Sequence, residues 1–224
     1  MSSTNTAADE LREILAEYCN HHKNISDIES FKNLITQVSE ELRYELLSSI
    51  TDSDGDTALT IAAFRGHTEL CVTLLSSLPP ADRLKLILAD KRTALHRAAR
   101  WGYTDTVSGI LNCLTAERQK QLLFTLDKYG DTALHDAARY GQTEIVKTLL
   151  DNLTPEQQLK LLSVKNDKGM TASQRATGIS GNKNTEKILE QYRIEADYGV
   201  KGTLASQIML CWVLVHVLVV LMRF

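Results

Sequence analysis

The sequence predicts an all-α solenoid of stacked helix pairs with elongated helical linkers, plus a hydrophobic helix at the C-terminal end. Three observations lead there. One motif returns at nearly constant spacing through the middle of the chain, and self-similarity at a period of about 20–50 residues is the signature of repeat architectures. The composition favours helix, with abundant Leu, Ala, Glu, Lys and Gln and only 3 prolines in 224 residues. A single uncharged apolar run lies apart from the repeats, near residue 204.

The motif reads Gly55-Asp-Thr-Ala-Leu, Lys91-Arg-Thr-Ala-Leu-His, Gly130-Asp-Thr-Ala-Leu-His and Gly169-Met-Thr-Ala-Ser-Gln. Its threonines are Thr57, Thr93, Thr132 and Thr171, giving steps of 36, 39 and 39 residues. Paired alanines follow at Ala62-Ala63, Ala98-Ala99 and Ala137-Ala138, and glycines at Gly66, Gly102 and Gly141. Each unit closes on an apolar pair: Leu74-Leu75, Ile110-Leu111, Leu149-Leu150 and Ile188-Leu189. Thr before a helix can cap its free backbone N–H groups. Paired alanines let helices approach closely, and glycine adopts a positive φ at little cost in the turn between them.

This pattern resembles the ankyrin repeat, whose Thr-Pro-Leu-His core it follows with Ala in place of Pro. The resemblance spans about residues 45–192. It implies an interaction module in which His96 and His135 brace the hairpins rather than perform chemistry. The fourth unit departs most: Ser173-Gln174 replace Leu-His, Ser180 stands at the turn glycine, and Asn184-Thr185 are polar. These changes read as a degenerate cap, because a terminal unit needs a polar outer face. Lys91 in place of the hairpin glycine predicts an altered second tip.

The steps exceed the family's usual length of about 33 residues. The surplus has its own pattern, seen at 38–47, 114–123 and 153–162, with a shorter relative at 78–84. Thr154, Pro155 and Gln157 supply a cap residue, a proline at the first helical position and a capping box. Each linker therefore carries extra helical turns. Upstream, Leu11, Ile14, Leu15, Phe31, Leu34 and Ile35 recur at helical spacing and predict a capping helix pair over 9–38. The chain thus divides into capping helices (1–44) and four repeats over 45–192 (about 53–88, 89–127, 128–166 and the degenerate 167–192). A linker (193–203) and a candidate transmembrane helix (204–222) follow.

That last segment, Leu204 to Met222, has no formal charge. Nineteen helical residues would span roughly 28 Å, close to the roughly 30 Å hydrocarbon core. It resembles a tail anchor. Lys187, Arg193 and Lys201 precede it and only Arg223 follows, which favours repeats facing the cytosol. The alternative is a cytoplasmic protein whose apolar tail docks on the stack or self-assembles.

A net charge of -3 argues against nucleic acid as a partner. The four cysteines (Cys19, Cys71, Cys113, Cys211) form no pair at metal-ligand spacing and read as reduced core residues. His21-His22 point about 100° apart on a helix and cannot chelate together. No catalytic motif, cofactor site or metal site is present in the pattern, so a non-enzymatic role is expected. The family makes its contacts at hairpin tips and at the ends of the first helices. Matched onto this chain, those positions are Asp54, Asp56, Phe64, Arg65, Asp90, Arg92, Arg100, Trp101, Lys128, Tyr129, Asp131, Arg139 and Tyr140. Phe64/Arg65, Arg100/Trp101 and Arg139/Tyr140 form three aromatic–arginine pairs, and these residue types are enriched at interface hot spots. The expected function is an adaptor that holds an acidic or mixed-charge protein surface and is displayed on a membrane. The alternative is a soluble structural module.

Overall fold

Each of the first four units of this protein contributes three helices, not two. The computed structural model describes residues 2–21, 25, 27–90, 92–177 and 182–200. An inner row comprises α1 (Ser2–His21), α4 (Ala58–Arg65), α7 (Ala94–Trp101), α10 (Ala133–Tyr140) and α13 (Ala172–Thr177). An outer row comprises α2 (Ile28–Gln37), α5 (Thr68–Ser76), α8 (Thr104–Asn112), α11 (Thr143–Asp151) and a last helix, α14, over 183–200. A third helix closes each of the first four units: α3 (Glu40–Ser49), α6 (Pro80–Ile87), α9 (Ala116–Leu123) and α12 (Pro155–Ser163). Inner helices pack on inner helices from α4 through α13, and α5, α8 and α11 pack in series behind them.

The repeat chemistry explains this stacking. Ala62, Ala63, Ala98, Ala99, Ala137 and Ala138 are each 0% exposed, so the inner helices and their partners meet without intervening bulk. Leu74, Leu75, Ile110, Leu149 and Leu150 fill the seam behind them, also at 0%. The three turn glycines adopt left-handed φ values of 71, 84 and 70° at Gly66, Gly102 and Gly141. Each is also roofed by a residue of the next unit. A Cβ on Gly66 would meet the Tyr103 ring at 2.6 Å, and one on Gly102 would meet Gln142 at 2.7 Å.

The linker helices are anchored by a device the sequence pattern did not reveal. The residue four places after each cap turns back onto main-chain carbonyls. Arg43 donates to Val38, Thr36 and Ser77 carbonyls, and Arg83 to those of Leu78 and Cys113. Gln119 donates to Leu111 and Leu114, and Gln158 to Leu150. The two arginines reach into the following unit, so they fix repeat-to-repeat spacing as well as helix position. Thr154 and Gln157 form the expected capping box, with Pro155 at the first helical position.

Several boundaries differ from the sequence reading. The N-terminal 44 residues are not a simple helix pair. α1, α2 and α3 repeat the inner–outer–linker order, α1 packs on α4, and the boundary at 44 falls inside α3. Residues 193–200 are helical rather than linker, because α14 continues along the stack. Ala196 on it is 1% exposed, and Gly199 lies against the Pro155 ring with room for only a 3.1 Å Cβ contact. Thr185 is not part of a polar outer face. It is 0% exposed and its hydroxyl pairs with that of Thr143 at 3.1 Å, so polarity there is satisfied within the seam. Asn182 takes the place against Gly141 that Tyr103 and Gln142 take against the earlier glycines, one residue later than the spacing implied. The apolar segment 204–222 lies outside the described residues. Among those described, no helix is long and apolar enough to cross a membrane.

Candidate protein-interaction surface

The hairpins that precede the inner helices are built around a repeated carboxylate or amide. Asp52 Oδ1 accepts from the N–H groups of Asp54 and Asp56, Asp127 Oδ1 from those of Tyr129 and Asp131, and Asn166 Oδ1 from those of Lys168 and Met170. The second hairpin is shorter, with three residues from Asp90 to Thr93 where the others have five. Asp90 consequently turns backward: its Oδ2 accepts from the Thr57 N–H at 3.0 Å and hydroxyl at 2.9 Å. Lys91 lies outside the described residues.

Successive hairpins are then laced together. Arg92 forks onto Asp127 Oδ2 at 3.1 and 2.9 Å, Asn166 donates to Asp131 Oδ1 at 2.7 Å, and Arg175 donates to Asp131 Oδ2 at 2.5 Å. Arg97 pairs with Asp56 across the first junction. The histidines behave as the resemblance implied. His96 Nε2–H donates to the Asp131 carbonyl at 2.9 Å while its Nδ1 takes the Thr93 hydroxyl at 2.8 Å. His135 does the same with Met170 and Thr132. Burial holds both rings neutral and pushes His96 down to about 4. In the fourth unit Gln174 substitutes for the histidine: its side chain accepts from the Thr171 N–H while its own N–H meets the Thr171 hydroxyl.

This lacing corrects part of the predicted surface. Asp90 and Asp131 are buried, and Arg92, with a side chain 12% exposed, is committed to Asp127. Asp56 is half-buried under Arg97; burial raises its pKa more than the arginine lowers it. These four hold hairpins together and are not available as contact groups. Asp54 and Lys128 remain exposed at the tips. Phe64, Trp101 and Tyr140, at the ends of three successive inner helices, are 41, 50 and 37% exposed and form an aromatic strip along the inner row, while Tyr129, 51% exposed, stands on the third hairpin.

Within that strip two of the three expected sequential pairs are replaced by diagonal contacts, and only Arg139 faces its sequence neighbour Tyr140. Phe64 does not pair with Arg65; its ring meets Trp101 of the next unit edge-on, centroids 5.3 Å apart. Arg100 does not cover Trp101; it lies 4.7 Å over the ring of Tyr140, again one unit on. Arg65 stacks at 4.9 Å over Tyr18, which is buried in α1 and bonded to His67. Arg139 also faces Tyr140, at 5.4 Å. The cause of the diagonal contacts is helical geometry: consecutive residues of a helix point about 100° apart, so Phe64 and Arg100 turn toward the adjacent inner helix. Among the described residues, neither Arg100 nor Arg139 lies within ion-pair distance of a carboxylate, and the Nε of each is buried without a hydrogen-bond partner.

Sequence reasoning missed Arg97, Asp127 and Asp136. Asp136 follows His135 in the motif and is 0% exposed, with neither oxygen hydrogen-bonded. Arg92 approaches it at 3.8 Å, yet burial dominates and raises its pKa to about 6. The signal was the residue after each histidine position, which alternates Arg97, Asp136, Arg175 along the inner row. At the first-unit end, a pocket of about 470 Å³ opens between the Asp52–Asp56 hairpin, Phe64, Arg65 and Arg97. No group of three or more His, Cys, Asp or Glu among the described residues could hold a metal ion.

Stacked three-helix units with laced hairpins and an aromatic inner strip define a repeat scaffold of the kind that binds other proteins. A family model for ankyrin repeats in three copies matches residues 19–121 and 90–160, and the chain belongs to the ankyrin-repeat family. The match starts within α1, upstream of the first unit legible in the sequence. No curated protein matches the chain.

Proposed function

We propose that this protein is a non-catalytic adaptor that binds an acidic or mixed-charge protein surface along the inner row. The observation that carries this reading is the exposed strip of Phe64, Trp101 and Tyr140 bordered by Arg100 and Arg139, neither of which has a carboxylate within ion-pair distance among the described residues. Buried aromatic anchors ringed by arginine concentrate binding energy at protein interfaces. Trp101 sits in the central unit, where exclusion of water strengthens adjacent charged contacts. Trp101→Ala removes a half-exposed ring, so it should abolish capture of the partner from cell lysate while helicity and melting stay nearly unchanged. Capture equal to wild type would place the interface elsewhere.

The adaptor is proposed to be displayed on the cytosolic face of a membrane by 204–222. A second reading has its own support. A groove of about 1080 Å³ runs between α12, α13 and α14; its lining mixes Leu159, Leu162, Leu189, Ile194 and Tyr198 with polar and charged side chains, and Ile194 and Tyr198 are 46 and 73% exposed. An apolar tail could dock there or self-assemble. Carbonate extraction of cells decides between them, because a bilayer-spanning tail stays with the membrane pellet and a docked one is released.

A further inference from the structure

We propose that the occupant of the inner strip is an extended peptide segment carrying an apolar side chain and, three residues away, a carboxylate. This deepens the adaptor reading and rests on it. The strip divides into two subsites of different chemistry. One is the edge-to-face pair Phe64–Trp101, two exposed rings; the Arg97 guanidinium, 5.8 Å over Phe64, is already paired with Asp56. It offers mainly apolar area. The other is the Tyr140 ring with Arg100 at 4.7 Å and Arg139 at 5.4 Å, where neither guanidinium has a carboxylate within ion-pair distance among the described residues. Asp136 influences Arg100 only at longer range. Two like charges held on one ring favour an anion between them, and a carboxylate can accept from both forks.

The subsites occupy successive junctions, α4–α7 and α7–α10, so they stand one inner-helix spacing apart. Packed helices lie about 8–10 Å from axis to axis. A polyproline-II segment has 3 residues per turn at about 3.1 Å each, so side chains i and i+3 share a face about 9 Å apart. In a β-strand, residues i and i+3 point to opposite faces, and residues i and i+2 span only about 7 Å. Polyproline II therefore places an apolar residue on Phe64–Trp101 and an acid on Arg100–Arg139 at the same time. Its low conformational freedom also reduces the ordering cost on binding.

The test is fluorescence anisotropy of labelled proline-rich peptides against the full chain. One probe carries Leu and, three positions on, Glu; a second has the reverse order, since the strip does not set chain direction. Controls replace Glu by Gln or move it one position closer to Leu. One of the two probes should bind, and both controls should weaken it about tenfold or more. Arg100→Glu with Arg139→Glu should lose the Glu probe and gain its Lys counterpart, with an unchanged circular dichroism spectrum as the check on folding. Equal binding of the Glu, Gln and displaced-Glu peptides, or no binding of either probe at millimolar concentration, overturns the motif. Loss of partner capture in Trp101→Ala would still hold in that case, so the adaptor reading fails or survives separately.

Discussion

Asp136 carries a penalty that a single substitution should relieve. The carboxyl lies on α10, 0% exposed, with no hydrogen bond to either oxygen. Arg92 and Arg100 lower its pKa, Asp127 and Asp131 raise it, and burial outweighs them all, taking it from 3.8 to about 6. That rise corresponds to about 3 kcal/mol of native-state bias against the charged form. Asn at this position removes the charge but leaves a buried amide without partners, a cost of about 1–3 kcal/mol. Arg92 keeps its fork on Asp127, and Arg100 loses only a longer-range attraction. Asp136→Asn should therefore stabilise the fold by up to about 2 kcal/mol at neutral pH. The sign with pH follows from linkage. A carboxyl whose folded pKa is raised binds more protons in the native than in the unfolded state, so its penalty grows as pH rises through the window from 3.8 to about 6. Urea unfolding of both proteins from about pH 4 to about pH 8 isolates this group, because every other titration cancels in the difference. The advantage of Asn should be absent at the acid end and complete above the upper pKa. A pH-independent difference, or a variant less stable at neutral pH, refutes the assignment of Asp136 as a charge whose burial outweighs its arginine partners.

Two further outcomes follow from the same interior. Ala98→Leu or Ala137→Leu forces extra methylenes into positions that are 0% exposed, and overpacking of this kind costs about 1–3 kcal/mol. In a chain of this size each kcal/mol lowers the melting temperature by about 2–4 °C, which calorimetry resolves; no shift in either variant would contradict the inner-row register. His96 and His135 are held neutral by burial, with folded pKa values below the usual 6.5. Their contribution is complete above that value and is lost as pH falls toward about 4. His96→Gln should flatten this acid limb in urea unfolding experiments, since Gln cannot protonate.

Much of the architecture was legible because ankyrin units are local. The Thr-Ala-Leu motif, the paired alanines and the turn glycines act through helix starts, close helix contacts and positive φ values, all set within one unit of about 39 residues. The capping box at Thr154–Gln157 was visible for the same reason: its two hydrogen bonds join residues three apart. The N-terminal unit was harder, since α1 to α3 keep the helical period but not the motif. The family match reaches into it nonetheless.

The candidate site divides along the same line. Sequence alone identified the aromatic and arginine side chains at the ends of the inner helices, because their register against Gly66, Gly102 and Gly141 is a local property. Which ones are free was decided by the tertiary structure. Asp90, Arg92 and Asp131 have the same residue types as open contact groups, yet each finds its partner 33 to 44 residues away in an adjacent unit. The diagonal pairing of Phe64 with Trp101 and of Arg100 with Tyr140 has the same origin. A side chain's nearest neighbours in a solenoid lie one repeat away, at a distance set by stacking, while periodicity in the sequence reports only the face on which it stands.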